Sequence, residues 1–204
     1  MKTREGLIIV DYQKDFGNPK GTLYVKESEL LVPYINKVIE DFQKKAGLII
    51  TTQDWHPKKH FSFATKFGVD PFTPVNGDVK WPDHCVQNTW GADFVDGLNV
   101  KPVQFRIYKG YAIDRDFYTG FGGNEFVEGK PARNLEQILV DNNIKIITIL
   151  GLATDFCVKY TVLDALNKGF GVNVLTKGIR AVNVNPGDGD KAIEEMKQKG
   201  AIIL

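Results

Sequence analysis

Reactive side chains stand at or just beyond the ends of four candidate strands, three of which are short aliphatic runs and the fourth of which, 103–108, is a weaker candidate. In chain order they are Asp11, Asp54 with His56, Lys109 and Cys157. Continuous aliphatic runs are typical of strands buried on both faces of a parallel sheet. The carboxyl ends of such strands meet at one edge of the sheet, where ligands bind. Polar residues often follow strands without any chemical role, but four reactive types in this position favour one shared site.

Cys157 is the candidate nucleophile. It lies in residues 151–158, which leave a strand through small residues and enter a helix, with Thr154 or Asp155 as the predicted N-cap. Unpaired N–H groups at a helix N-terminus favour a thiolate and can form an oxyanion hole. The motif by itself fits a small buried hydrophobic side chain equally well. Cys85 follows His84 in an irregular segment, and we assign it no catalytic role.

Asp54 and the three histidines form a candidate site for a divalent metal ion. Asp54 and His56 are two residues apart, so both point to the same side of an extended chain. With His84 as a second imidazole, this set leaves coordination positions open for water or substrate. His60 adds a further ligand if Pro57 begins a short helical turn. A lone histidine usually has a structural role, but this trio beside a carboxylate favours a metal.

Asp11 and Lys109 are the candidate base and its cationic partner. A carboxylate near a thiol can take its proton, and a nearby ammonium group stabilises both anions. The alternative is a structural ion pair, although burying such a pair carries a large desolvation cost. Phe16, Trp55 and Trp81 are candidates for the flat apolar walls of a pocket that takes an aromatic substrate. Each of these rings, taken singly, is more often part of a core.

The elements that position these residues alternate between strands and helices. Strands are predicted at 7–10, 48–51, 144–150 and 172–175, with weaker candidates at 103–108 and 201–204. Amphipathic helices are predicted at 27–45, 134–142, 155–168 and 188–199. The alternation predicts an α/β fold, a doubly wound and mainly parallel sheet of about six strands with helices on both faces. We expect a single domain over 1–204, with an irregular metal-binding insertion at about 53–102.

Length, charge and cysteine content exclude several classes of protein. The chain has 204 residues, with 26 basic against 25 acidic side chains, so nucleic acid and anionic membrane surfaces are not expected partners. It contains no apolar stretch long enough to span a membrane and no signal peptide pattern. Two cysteines argue against a disulfide framework and favour the cytoplasm. The sequence leaves open whether the chain forms a homo-oligomer.

Several of these motifs together resemble a known family. Residues 10–16, 53–57, 81–85, 109–110 and 151–158 look like the nicotinamidases of the isochorismatase-like cysteine hydrolases. The match extends over nearly the whole chain and includes residues 178–183. The resemblance implies hydrolysis of nicotinamide to nicotinate and ammonia through a cysteine thioester, in NAD salvage. It implies that pyrazinamide is also accepted.

The resemblance also implies roles for individual residues. The catalytic triad would be Asp11, Lys109 and Cys157. One divalent metal ion, most often Zn²⁺ but Fe or Mn in some members, would be held by Asp54, His56 and His84, while His60 ligates in only part of the family. A cis peptide bond would join Leu152 to Ala153, and the backbone N–H groups of Ala153 and Cys157 would form the oxyanion hole. Phe16 and Trp81 would clamp the substrate ring.

Two other functions remain as alternatives. An amidase of the same superfamily that acts on carbamoyl compounds would share the triad but lack the metal ligands. A non-enzymatic metal-binding or thiol-sensing protein would leave Asp11 and Lys109 unexplained. Metal analysis together with an assay of ammonia release separates these functions from a nicotinamidase.

Overall fold

The computed structural model describes residues 4–204, and a mainly parallel eight-stranded sheet lies at its centre. The strands are β1 (Glu5–Val10), β2 (Leu48–Asp54), β3 (Pro74–Val75), β4 (Asp78–Val79), β5 (Phe105–Lys109), β6 (Asn124–Glu125), β7 (Arg133–Asn134), β8 (Ile146–Leu152), β9 (Gly171–Arg180) and β10 (Ile202–Ile203). Their order in the large sheet is β10-β9-β8-β1-β2-β5-β6-β7, and β3 pairs with β4 in a separate hairpin.

The predicted α/β fold is confirmed, with two more strands in the main sheet than expected and a separate hairpin, β3-β4, that was not predicted. All six predicted strands are present and pair in parallel. The additional strands, β6 and β7, are antiparallel and extend the sheet beyond β5. Each has only two residues, so neither produces the aliphatic run by which the other strands are recognised in the sequence.

Strand β1 occupies the middle of the sheet. Leu7 pairs with Ile49 of β2 on one side and with Thr148 of β8 on the other. The side chains from Leu7 to Val10 are completely buried, as expected for a strand covered on both faces. The chain passes from β1 to β2 and β5 on one side, and later from β8 to β9 and β10 on the other. The strand order therefore reverses between β1 and β8, where open α/β sheets bind ligands.

The helices are α1 (Lys14–Gly17), α2 (Val32–Lys44), α3 (Ala64–Phe67), α4 (Leu135–Asp141), α5 (Lys159–Asn167) and α6 (Asp188–Gln198). The four predicted helices are found close to their predicted positions, as α2, α4, α5 and α6, and the two short helices α1 and α3 were not predicted. The helix predicted from residue 27 begins with a 3₁₀ turn at Ser28–Leu31, and Leu30 is exposed rather than in the core. Within residues 4–204, no helix combines the length and apolarity that a bilayer crossing requires.

Beyond the end of β2, residues 53–102 contain only short helical and strand segments, and they are attached to the sheet. The N–H of Trp55 donates to the carbonyl of Lys109 in β5 over 2.9 Å, and within the insertion the N–H of His56 donates to the carbonyl of Cys85 over 3.0 Å. Phe63, Trp81 and Cys85 are buried, so the insertion carries its own apolar interior. These contacts place the candidate metal ligands beside the carboxyl ends of β2 and β5.

Candidate active site

Neighbouring strand ends bring the predicted reactive residues together. Asp11 directly follows β1, while Asp54 and Lys109 are the last residues of β2 and β5 and pair with each other in register. Cys157 lies in a single π-helical turn, Thr154–Val158, just beyond β8. The site therefore lies across the point at which the strand order reverses.

Lys109 is the centre of the cluster. Its Nζ lies 3.0 Å from Asp11 Oδ2 and 3.4 Å from Cys157 Sγ, and it donates to Asp54 Oδ1. All four side chains are buried. Burial by itself lowers the pKa of Lys109, but Asp11 and Asp54 outweigh this effect and hold it well above its usual value. The ammonium group is thus a fixed positive charge between two carboxylates and the thiol.

The carboxyl group of Asp11 is prepared to exchange a proton near neutral pH. Burial raises the pKa of Asp11 to about 6, against the opposing effects of the Lys109 charge and of a hydrogen bond from Thr52. The Thr52 hydroxyl donates to Asp11 Oδ1 over 2.6 Å. A carboxylate with a pKa in this range can serve both as a general base and, once protonated, as a general acid.

The expected lowering of the Cys157 pKa is not observed. Burial raises the pKa of this thiol well above its usual value, and the attraction of Lys109 only partly opposes the increase. The reason is that a 7% exposed sulfur loses most of the hydration that stabilises a thiolate. The resting residue is therefore a thiol and requires a base. Carboxylate oxygens of Asp11 and Asp54 lie within 4.8 Å of the sulfur.

The turn before Cys157 differs from the predicted capped helix. The N-cap is Ala153, without a side-chain cap, so the prediction of Thr154 or Asp155 is wrong. The carboxylate of Asp155 instead accepts the N–H groups of residues 182 and 183, over 2.9 and 2.8 Å. The implied cis peptide bond between Leu152 and Ala153 is confirmed. Ala153 and Cys157 both line the same pocket.

Asp54, His56 and His84 lie close enough together to hold one metal ion. One ligand atom of each lies within 4.8 Å of the others. Nδ1 of His56 contacts the carbonyl of Gly110 at 2.9 Å, and Nδ1 of His84 contacts that of Pro82 at 2.7 Å. Such contacts fix Nδ1 as the donor and leave Nε2 as a lone-pair ligand, the usual pattern for metal-bound histidine. Nε2 of His56 is buried and has no hydrogen-bond partner among the described residues, which fits a metal ligand.

His60 lies against His56, and ligand atoms of His56, His60 and Asp116 also lie within 4.8 Å of one another. The two rings stack with centroids 4.3 Å apart. Its Nδ1 lies 2.7 Å from Ser62 Oγ, and its Nε2 lies 3.1 Å from the carbonyl of Arg115. Both ring nitrogens thus have protein partners, unlike those of His56. This geometry supports a role for His60 in supporting the His56 ring.

A pocket whose lining includes four Phe, Tyr and Trp side chains opens onto the cluster. Phe16 and Trp81 line it, as the resemblance implies. Trp55 does not line it and packs on Tyr108 instead, so that prediction is wrong. The remaining lining residues include Leu23, Asp116, Tyr118, Phe156 and Val182, which our reading of the sequence missed. Two of them lie in stretches that carry the family resemblance, Phe156 in 151–158 and Val182 in 178–183.

Tyr118 and Phe156 hold the Trp81 ring in place. The indole Nε1 donates to Tyr118 Oη over 3.1 Å. The ring of Phe156 meets Trp81 edge to face, with centroids 4.9 Å apart and planes at 90°. A flat, fixed wall beside a buried nucleophile suits a small planar substrate.

Comparison with known proteins agrees with this geometry. Residues 5–204 match the family model described as the isochorismatase domain. The nicotinamidase of Escherichia coli K12 is 41% identical over 202 residues, covering 97% of this chain and 92% of the relative. The pyrazinamidase of Pyrococcus horikoshii, solved in complex with zinc, is 40% identical with a TM-score of 0.81 and 98% coverage of both chains.

A third protein, PnC1 from L. infantum, was solved in complex with nicotinate. It is 32% identical to this chain, with a TM-score of 0.83, and covers 100% of this chain and 93% of its own. The similarity to each of the three covers at least 97% of this chain. The chain therefore belongs to the isochorismatase family and, within it, to the nicotinamidases.

Proposed function

We propose that this chain hydrolyses nicotinamide to nicotinate and ammonia in NAD salvage, and that it also accepts pyrazinamide. The observation that carries the proposal is the contact of Lys109 with both Asp11 and Cys157 at the base of an aromatic pocket. The relatives named nicotinamidase and pyrazinamidase support the choice of substrates. Four Phe, Tyr and Trp side chains in the pocket lining suit a flat six-membered ring that carries a carboxamide.

Asp11 and Cys157 carry the proposed chemistry. Asp11 takes the thiol proton as the sulfur attacks the carboxamide carbon, and the backbone N–H groups of Ala153 and Cys157 stabilise the oxyanion. Asp11 then gives its proton to the departing ammonia, which leaves a thioester. Water attacks the thioester with Asp11 again as base, releasing nicotinate and restoring the thiol. Lys109 keeps its charge throughout and stabilises both anionic side chains.

Phe16 and Trp81 are the proposed clamp for the substrate ring. Both are almost completely buried and face the same pocket as Cys157. Their positions are supported by contacts that involve no substrate, such as the hydrogen bond from Trp81 to Tyr118. The ring is therefore held by a surface that is formed in advance, which lowers the entropic cost of binding.

Asp54, His56 and His84 are the proposed ligands of one divalent metal ion. Zn²⁺ suits two imidazoles and a carboxylate, and Fe or Mn remain alternatives. A bound ion would supply an electrophilic anchor for the ring nitrogen of the substrate. His60 is proposed to support the His56 ring, with which it stacks.

We propose that the chain forms a single domain, because the strands of one sheet come from residues 5 to 203. A cytoplasmic location is supported by the absence of a disulfide between Cys85 and Cys157. We propose neither nucleic acid nor a membrane as a partner. Whether the chain forms a homo-oligomer can be measured directly in solution.

Ammonia release from nicotinamide tests the proposed function, with Cys157→Ala as the diagnostic variant and Cys85→Ala as its matched control. Both cysteines are buried and free, but only Cys157 contacts Lys109. We expect turnover to disappear in Cys157→Ala and to persist in Cys85→Ala. Turnover by Cys157→Ala would refute the covalent mechanism. A wild-type protein that is active on carbamoyl compounds and contains no metal would instead support the alternative amidase.

A further inference from the structure

Strand β1 leaves the sheet before its neighbour β2 ends. β1 ends at Val10, and Asp11 then adopts a positive φ of 43° and turns the chain away. The parallel register of the two strands would place Tyr12 beside Asp54, the last residue of β2. Asp54 therefore reaches the active site without a strand beside it on the β1 side.

The side chain of Gln13 occupies the place of the missing strand. Its Oε1 accepts the N–H of Asp54 over 2.8 Å, and its Nε2 donates to the carbonyl of Asp54 over 2.8 Å. The same Nε2 also donates to the carbonyl of Ala92 over 2.9 Å. On the opposite side, the N–H of Trp55 donates to Lys109 of β5 over 2.9 Å. A carboxamide offers the same donor and acceptor pair as a peptide group, so it can pair with a strand as backbone does.

We infer that Gln13 is a positioning residue that sets the location of Asp54. Its carboxamide is completely buried and fixes both backbone polar groups of Asp54. Asp54 in turn contacts Lys109 and lies 3.8 Å from His56 Nε2. Gln13 thus connects the proposed triad to the proposed metal ligands without contacting substrate or metal. This inference rests on the metal site of the proposed function.

Gln13→Met tests the inference, with Gln53→Met as a matched control. Gln53 is also buried, and its Nε2 donates to the same Ala92 carbonyl over 2.9 Å, but it does not pair with the backbone of Asp54. Both variants lose a hydrogen bond from a buried glutamine to Ala92. Only Gln13→Met also leaves the N–H and carbonyl of Asp54 without partners.

The measurement is the dissociation constant of Co²⁺ by chelator competition, together with the visible absorption spectrum of the bound ion. We expect Gln13→Met to weaken Co²⁺ binding by about 10-fold to 100-fold and to change the spectrum, as loss of a group that orients a ligand does. Gln53→Met should bind Co²⁺ as the wild type does. Equal losses in the two variants, or no loss in Gln13→Met, would overturn the inference.

Gln13→Asn provides an independent test if the methionine variant does not fold. Its carboxamide keeps the donor and the acceptor but is one methylene group shorter, so it cannot reach the N–H and the carbonyl of Asp54 together. Weaker Co²⁺ binding therefore reports displacement of Asp54, and unchanged or tighter binding contradicts the inference. Wild-type protein that fails to bind Co²⁺ would instead overturn the proposed metal site, and with it this role of Gln13.

Discussion

Thr52 controls the pH at which the proposed base becomes active. Its hydroxyl donates to Asp11 Oδ1 over 2.6 Å and lowers the pKa of a carboxyl group that burial raises to about 6. Thr52→Val keeps the shape of the side chain and removes this bond. The ionised carboxylate of Asp11 loses more hydrogen-bond stabilisation than its protonated form does, so the pKa of Asp11 rises in the variant.

The size of this increase follows from the hydrogen bond. A hydrogen bond to a charged group contributes about 1.5–3 kcal/mol, and one to a neutral group contributes about half as much. The difference of about 0.7–1.5 kcal/mol corresponds to about 0.5–1 pKa unit. The pKa of Asp11, about 6 in the wild type, should therefore rise by this amount in Thr52→Val. As the base acts when ionised, activity is lost as pH falls through this pKa, and the variant loses it at higher pH.

The assay is kcat/KM for ammonia release from nicotinamide across the acid range. Thr51→Val is the matched control, because the Thr51 hydroxyl is also buried but has no hydrogen-bond partner in the described part of the chain. We expect the acid limb to move to higher pH in Thr52→Val and to stay in place in Thr51→Val. The midpoint of the acid limb does not depend on the maximal value of kcat/KM, so a general loss of activity does not mimic the effect. An unmoved or lowered midpoint in Thr52→Val would refute the assignment of Asp11 as base.

Three further variants test other contacts. Lys109→Met leaves two buried carboxylates unpaired, so urea unfolding should show a loss of about 3–5 kcal/mol at pH 8 and a smaller loss at pH 5, where protonation relieves the repulsion. An equal loss at both pH values would contradict this account. Gly151→Ala places a Cβ 2.1 Å from a backbone oxygen of β1, at a φ of +117°, and should cost about 4 kcal/mol or more in unfolding free energy. Gly169→Ala is the control, because this glycine has a φ of +85° but open space around it, and it should lower the free energy of unfolding by only about 1 kcal/mol. Similar losses in the two variants would argue against the close approach at Gly151. Tyr118→Phe removes the hydrogen-bond acceptor of the Trp81 indole, which should lower the free energy of unfolding by about 1–3 kcal/mol. The variant should also raise KM for nicotinamide more than it lowers kcat. An unchanged KM would show that this bond does not hold the pocket wall.

Local features of the sequence were sufficient to predict the sheet and the residues at its edge. Aliphatic runs such as 7–10 and 144–150 report burial on both faces, and burial of this kind occurs in parallel sheets. Once the strands are known, the rule that their carboxyl ends meet brings Asp11, Lys109 and Cys157 to one edge. The substrate required the family resemblance, because these residues alone indicate chemistry and not the ring that fills the pocket.

Tertiary structure alone decided how the residues at that edge act on one another. The placement of β1 between β8 and β2 puts Asp11 next to Thr52, a contact that no spacing in the sequence reveals. The pKa of Cys157 is raised rather than lowered, because desolvation depends on every segment that covers the sulfur. Gln13 stands beside a recognisable motif, but its partner lies 41 residues away along the chain. Residue type and spacing report local conformation and polarity, whereas hydrogen-bond partners and burial depend on packing between distant segments.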